Sequence, residues 1–168
     1  MTKRLILIRH TKSSWDDPLL PDRERPLNKR GKHAAESLGG WLASRGYLPD
    51  EVICSDARRT QETWERIAPA LATAPEPRLT DRLYEANSDT MLAVLRHATG
   101  DTVLMLGHNP GLAEFAHRLV ARAPLEPEFQ RYPTGATLVA EFEIGDWSEA
   151  APGMAAALDF VVPRQLED

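Results

Sequence analysis

Apolar residues fall along this chain in short blocks that alternate between two spacings. Leu5 to Ile8 is a continuous apolar run, the pattern of a strand buried on both faces. Glu51 to Cys54 and Thr102 to Leu106 read as two more strands of the same kind. Helical spacing lies between them. Asn28 is a capping residue for a helix predicted over 29–45, in which Ala34, Leu38, Trp41 and Leu42 share one face and after which Gly46 is a stop. A second helix, 57–71, carries Trp64, Ile67 and Leu71. A third starts at Ser88 or Asp89 and carries Met91, Leu92, Val94 and Leu95. Pro110 suits the first turn of a fourth, ending near Arg122. Residues 11–27, polar and proline-bearing, read as a long loop, and 79–86 fit strand or loop. Ala136 to Ile144 alternates, with Leu138, Ala140, Phe142 and Ile144 on one face and Glu141 and Glu143 on the other. That predicts a strand with a more exposed face, near a sheet edge. "ALDFVVP" is the last strand candidate.

Strand and helix alternate through the first 120 residues, which implies a parallel or mostly parallel sheet covered by helices on both faces. In such sheets the ligand crevice lies beyond the carboxyl ends of the strands. Arg9–His10, the segment "CSDARRTQET" and His108 in "GHNPG" each follow a predicted strand. Three separated segments therefore deliver basic groups to one edge of the sheet.

Composition narrows the class. A length of 168 residues suits one domain, 1–168. No stretch approaches the ~18 apolar residues of a membrane span, and the N-terminus has too short an apolar run for a signal peptide. One cysteine, Cys54, excludes an internal disulfide and fits a cytoplasmic protein; following "EVI", it reads as a buried strand-end residue. The net charge of −5 gives no global sign of nucleic-acid binding. Basic residues are nonetheless clustered: "RERPLNKRGKH" holds Arg23, Arg25, Lys29, Arg30 and Lys32, either a solvated face or the border of a site for an anion.

Two histidines and two or more arginines converging on one crevice point to phosphate. Arginine grips phosphate oxygens bidentately and stays charged. A neutral histidine can attack phosphorus and become a phosphohistidine, while a second can stabilise the charge that develops in the transition state. Neither metal nor cofactor need be invoked, because the histidines lack tight metal-ligand spacing. His33, His97 and His117 fall in predicted helices and read as structural or surface residues.

"RHTKSSW" resembles the opening motif of the histidine phosphatase superfamily, which also contains the cofactor-dependent phosphoglycerate mutases; Thr11 stands where Gly or Ala is usual. "RPLNKRG" resembles its Pro-Leu-x-x-x-Gly segment, and "CSDARRTQET" its Ser-x-x-x-Arg-x-x-x-Thr segment. Counting four from Ser55 reaches Arg59 and four more Thr63, so the register selects Arg59 over Arg58. "GHNPG" resembles the segment of the second catalytic histidine. Within the superfamily the length, "RHTKSSWDDP", "LYEANSDT", "GHNPGL" and the late "PTGATLVAEFEI" resemble the short SixA-type phosphohistidine phosphatases. The resemblance implies a three-layer α/β/α sandwich around a mostly parallel, six-stranded mixed sheet with one antiparallel strand. It implies His10 as nucleophile, with Arg9, Arg59 and His108 holding the phosphoryl group. The implied partner is a phosphorylated protein of the histidine phosphotransfer type, or a small phosphorylated substrate.

The acid is open. "LYE" puts Glu85 where many superfamily members place a glutamate, yet SixA-type proteins often lack one; Asp16, Asp17 and Asp22 are poorer candidates, more naturally turn or salt-bridge residues. Ser13 and Asn109 are candidates to line the pocket, Asn109 equally to cap the helix at Pro110, and Trp15 to shape the entrance or cover a core edge. Two rivals stand beside a phosphohistidine phosphatase. One is a small-molecule phosphoester phosphatase or mutase. The other is a catalytically weak phospho-binding protein, against which the retention of both His10 and His108 argues.

Overall fold

The computed structural model describes residues 1–167. Its central sheet is built from β1 (Lys3–Arg9), β2 (Glu51–Ser55), β3 (Arg78–Thr80), β4 (Thr102–Gly107), β5 (Thr137–Phe142) and β6 (Ala156–Val161). They lie in the order β3-β2-β4-β1-β5-β6. β1, β2, β3 and β4 pair in parallel, and β5 is antiparallel to both of its neighbours. The helices are α1 (Lys29–Arg45), α2 (Arg58–Ile67), α3 (Ser88–Leu95) and α4 (Gly111–Leu119).

The period of two within β1 sorts the molecule into layers. Leu5 and Leu7 point into an apolar cluster formed with α3 and α4, and Ile6 and Ile8 into a second formed with α1 and α2. All four side chains are 0% exposed. Burial of each contributes about 1.5–3 kcal/mol. The sheet is thus covered on both faces, which is why its central strands carry unbroken apolar runs.

Local chemistry sets most boundaries. Asn28 caps α1, its side chain accepting from the Gly31 N–H, and Gly46 ends it at φ 72°. α2 gives way at Ile67 to a 3-10 turn over 68–70, where Pro69 lacks the N–H a longer helix needs. α4 stops at Leu119 rather than near Arg122, because Ala121 N–H and Leu119 C=O bond to Ala155 instead. Residues 79–86 resolve into the end of β3 and a 3-10 turn over 81–83.

β5 departs from expectation in one respect. It lies near the edge as expected, with only β6 outside it, but its second face is largely covered: Val139 is buried in the α1–α2 cluster and Glu141 is half-buried, paired with Arg4 at 3.2 Å. The glutamates that suggested an exposed face reflect one ion pair and the residues beyond the strand.

Candidate active site

The parallel pairing of β1 and β4 aligns Ile8 with Leu106 and Arg9 with Gly107. One residue further on both strands are His10 and His108, and the His10 N–H still bonds to the Gly107 carbonyl at 3.2 Å. Sheet register alone therefore brings the two imidazoles together, with ring centroids 5.2 Å apart. His10 Nδ1 lies 2.7 Å from the Thr11 carbonyl. A carbonyl only accepts, so Nδ1 carries the proton and Nε2 is left with its lone pair. His108 Nε2 lies 2.8 Å from Ser55 Oγ, at the end of β2.

The loop after β1 is braced from both sides. Thr63 of α2 accepts from the Thr11 N–H at 3.1 Å and donates to the Arg59 carbonyl at 2.7 Å. On the other side Asn28 N–H bonds to the Lys12 carbonyl, and α1 approaches so closely that a Cβ on Gly31 would lie 2.0 Å from that oxygen. The glycine of "PLNKRG" is thus a packing requirement of the loop that follows His10.

Arg59 lies in the first turn of α2 and is buried, whereas Arg58 is exposed and pairs with Glu62 at 3.0 Å. Arg59 Nη1 donates to the Asp22 carbonyl at 2.7 Å and Nη2 to the Asp22 carboxylate at 3.0 Å. The same carboxylate accepts from Arg25 at 2.9 Å and from the Tyr84 hydroxyl at 2.5 Å. Two of the five Arg59 donors are therefore spent on orientation, and three remain. Arg9 is held elsewhere: its Nη1 donates to the Tyr132 carbonyl at 3.2 Å, and that oxygen also accepts from Asn109 Nδ2 at 2.9 Å.

These groups line a cavity of about 500 Å³. Arg9, Lys12, Arg25, Arg59 and Arg131 contribute positive charge to its walls, and no carboxylate is among the lining residues. Burial, then the charge of Arg59, lowers the Arg9 pKa, so this cation is held at an electrostatic cost that a bound anion would relieve. Burial depresses His10 to about 3, against the raising effect of the Thr11 hydrogen bond and with help from Arg59, Arg9 and Arg25. Burial likewise depresses His108 to about 3, followed by the charges of His10 and Arg59. Both rings are thus neutral near pH 7, as a nucleophile requires.

The consequence can be measured. Between about pH 3 and the ordinary value of 6.5, the unfolded chain holds protons on these two histidines that the folded chain does not. Stability therefore falls as pH drops through 6.5 towards 3. In the free protein, two imidazole Cε1–H resonances should hold their neutral shifts through pH 5. A midpoint near 6.5 for either His10 or His108 would contradict this electrostatic picture.

The cavity gathers four of the five candidate site residues, Arg9, His10, Arg59 and His108, and leaves Glu85 outside its lining. Glu85 is exposed, at a φ of 53°. Its neighbour Tyr84 stands edge-on to His108, ring centroids 5.5 Å apart. Asp16 and Asp17 are exposed loop residues in local turn contacts: the Asp16 N–H donates to Ser14 Oγ at 3.1 Å, and the Asp17 carboxylate accepts from the Leu19 N–H at 3.0 Å. Burial would raise the Asp22 carboxyl, but the hydrogen bond from Tyr84 and the pairing with Arg59 hold it near 2, so it has no proton to give at neutral pH. Ser13 lines the cavity and accepts from Arg25, whose guanidinium stacks on exposed Trp15 at 3.2 Å. Asn109 takes both suggested roles, lining the cavity while its Oδ1 accepts from the Ala113 N–H of α4 at 3.2 Å. His33, His97 and His117 are exposed and outside the cavity lining. Burial pushes the Cys54 thiol up to about 12, which removes it as a nucleophile.

The sequence reading missed Arg25, Lys12 and Arg131 as cavity residues, and Asp22 and Tyr84 as the clamp on Arg59. Arg25 and Lys12 lay in a visible basic cluster or motif; Arg131 sits in an irregular segment with no pattern to mark it. Among the described residues no group of three or more His, Cys, Asp or Glu side chains is placed to hold a metal ion, and no helix is long and apolar enough to cross a membrane.

Comparison with known proteins places this geometry in context. The family model of the histidine phosphatase superfamily (branch 1) matches residues 5–94. An uncharacterised protein of Mycobacterium tuberculosis is 34% identical over 165 residues, 94% of this chain and 100% of its own length. Among solved structures, the protein assigned as phosphohistidine phosphatase SixA in Nakamurella multipartitia is 28% identical, with a TM-score of 0.81 and 97% of each chain covered. The protein so assigned in Agrobacterium tumefaciens is 25% identical, with a TM-score of 0.79 over 96% of this chain and 98% of that one.

Proposed function

Because the chain belongs to the histidine phosphatase superfamily, branch 1, we propose that this phosphatase hydrolyses phosphohistidine in proteins by way of a phosphohistidine on His10. One observation carries the reading: a buried neutral imidazole, with Nδ1 tied to the Thr11 carbonyl, in a cavity lined by five cations and no carboxylate. His10 Nε2 attacks phosphorus as the bond from phosphorus to the substrate nitrogen breaks. Arg9 and Arg59 neutralise the equatorial oxygens, and His108 donates to them as charge develops. Water then attacks the phosphoryl group on His10, releases inorganic phosphate and restores the imidazole.

The missing acid bears on the substrate. A departing alkoxide needs a proton in the transition state, whereas an imidazole already protonated on its second nitrogen leaves as a neutral molecule. A cavity with no carboxylate in its walls suits the second case. The SixA assignments of the Nakamurella and Agrobacterium relatives point the same way. A single cysteine, buried and inert, fits the reducing cytoplasm as its location.

The test is turnover of a phosphohistidine protein, free phosphohistidine and a panel of small phosphoesters, each with chelator present. The protein substrate should be turned over with the highest kcat/KM. A phosphoester preferred over both phosphohistidine substrates would overturn the reading. Glu85→Gln sharpens the comparison. Its loss should stay below about tenfold on the phosphohistidine protein. On an alkyl phosphoester with a poor leaving group, a loss of ~10²–10⁴-fold would identify Glu85 as the acid for that reaction.

A further inference from the structure

The catalytic cavity does not end at its own rim. Lys12, Pro133 and Thr134 form one of its sides and also one side of a second depression of about 430 Å³. Ala34, Val162 and Pro163 give the second depression an apolar floor, and Arg30 and Arg164 stand on its walls. A third depression, sharing Arg30, Ala34, Pro163 and Glu167 with the second, adjoins it and reaches Lys29 and His33. Adjoining through these shared residues, the three depressions form a trough from the cavity that holds His10 to the start of α1.

Its charge is not what stability would select. The first turn of α1 holds Lys29, Arg30 and Lys32 and no acidic residue, at the end where the helix dipole disfavours cations. Among the described residues Lys12, Lys29, Arg30 and Arg164 make no side-chain ion pair. Of the two glutamates on the second depression's walls, Glu128 is already paired with Arg131 at 3.5 Å, which leaves Glu167 as the acidic residue facing Lys12, Lys29, Arg30 and Arg164 along the second and third depressions. The protein as a whole carries −5, so this basic strip runs against its average. A phosphoryl group and the side chain bearing it need only the cavity. Groups beyond it can be met only by a longer substrate.

Resting on the protein-substrate reading above, we propose that this trough docks an acidic stretch of the phosphorylated protein, flanking the phosphorylated histidine. Apolar atoms of the segment lie on Ala34, Val162 and Pro163, and its carboxylates face Arg30 and Arg164. Rim charges of this kind act mainly on encounter and on KM and are weakened by salt.

Three substrates test it: phosphoramidate, a short phosphohistidine peptide flanked by glutamates, and the same peptide with glutamines. Wild-type protein should favour the glutamate peptide at low salt, by a margin that shrinks as salt is added. The double variant Arg30→Glu/Arg164→Glu should raise KM for the glutamate peptide on the order of tenfold, with kcat nearly unchanged and phosphoramidate hydrolysis intact. Equal turnover of both peptides by wild type, or an unchanged KM in the variant, overturns the trough and leaves the phosphohistidine reading standing. Failure of wild type on both peptides while it hydrolyses phosphoesters overturns the substrate reading and the trough together. The wild-type comparison of the two peptides needs no variant to fold. If the double variant loses phosphoramidate activity, Arg30→Gln/Arg164→Gln replaces it.

Discussion

His10→Ala is expected to abolish turnover, by roughly 10⁴-fold or more, the scale on which loss of a covalent nucleophile acts. The expectation rests on tautomer and register together. Thr11 fixes the proton on Nδ1, and the β1–β4 ladder sets the ring against His108. The fold should survive, because the imidazole is a desolvated polar group at a cavity wall and belongs to neither apolar cluster. Incubation with radiolabelled phosphohistidine substrate should leave acid-labile, alkali-stable label on wild-type protein and none on the variant. A His10→Ala protein that carries such label, or works at near-normal rate, would sink the covalent mechanism.

Arg59→Ala should cost on the order of 3 kcal/mol in transition-state binding, about a hundredfold in kcat/KM. Arg58→Ala should stay near wild type. Adjacent helical residues point about 100° apart, and the structure shows the division plainly: Arg59 lines the cavity, while Arg58 is solvent-exposed beside Glu62. An exposed pair of that spacing is worth about 0.3–0.5 kcal/mol. Arg59→Ala also frees the Asp22 carboxylate, so thermal unfolding should accompany the kinetics to show that the loop has not simply melted. If Arg58→Ala proves the more damaging, the assignment of the phosphate-binding arginine is off by one.

The residues that could be placed from sequence share a property: their partners are set by regular structure. Asn28 and Gly46 bound α1 through contacts within a few residues. Arg59 follows from its spacing to Ser55 and Thr63, and Thr63 indeed bonds back to the Arg59 carbonyl within one turn. His10 and His108 are 98 positions apart, yet each ends a buried strand, and parallel strands that alternate with helices put those ends on one edge. That one strand runs antiparallel came only from the family resemblance, which did not say that it is β5, and the covering of the second face of β5 was not legible, because an alternating glutamate marks a polar tip rather than an uncovered face.

Sequence by itself therefore determined the layers, the edge of the sheet that carries the chemistry, and the two histidines and two arginines that meet there. Hydrophobic period and strand-to-helix alternation are local signals that suffice for the layers and the edge, while the resemblance to the family motif selected Arg59 over Arg58. Only the tertiary structure decided how the arginines are held and what surrounds them. Asp22 meets Arg59 across 37 positions and Tyr84 across 62, from irregular loops with no periodicity to read. The Tyr132 carbonyl that steadies Arg9 and Asn109 is a backbone atom, to which side-chain identity gives no clue. The same holds for the depression of both histidine pKa values and for the basic trough beside them. Each depends on how much water the packed chain excludes and on which distant charges it brings near, and both are properties of the assembled fold.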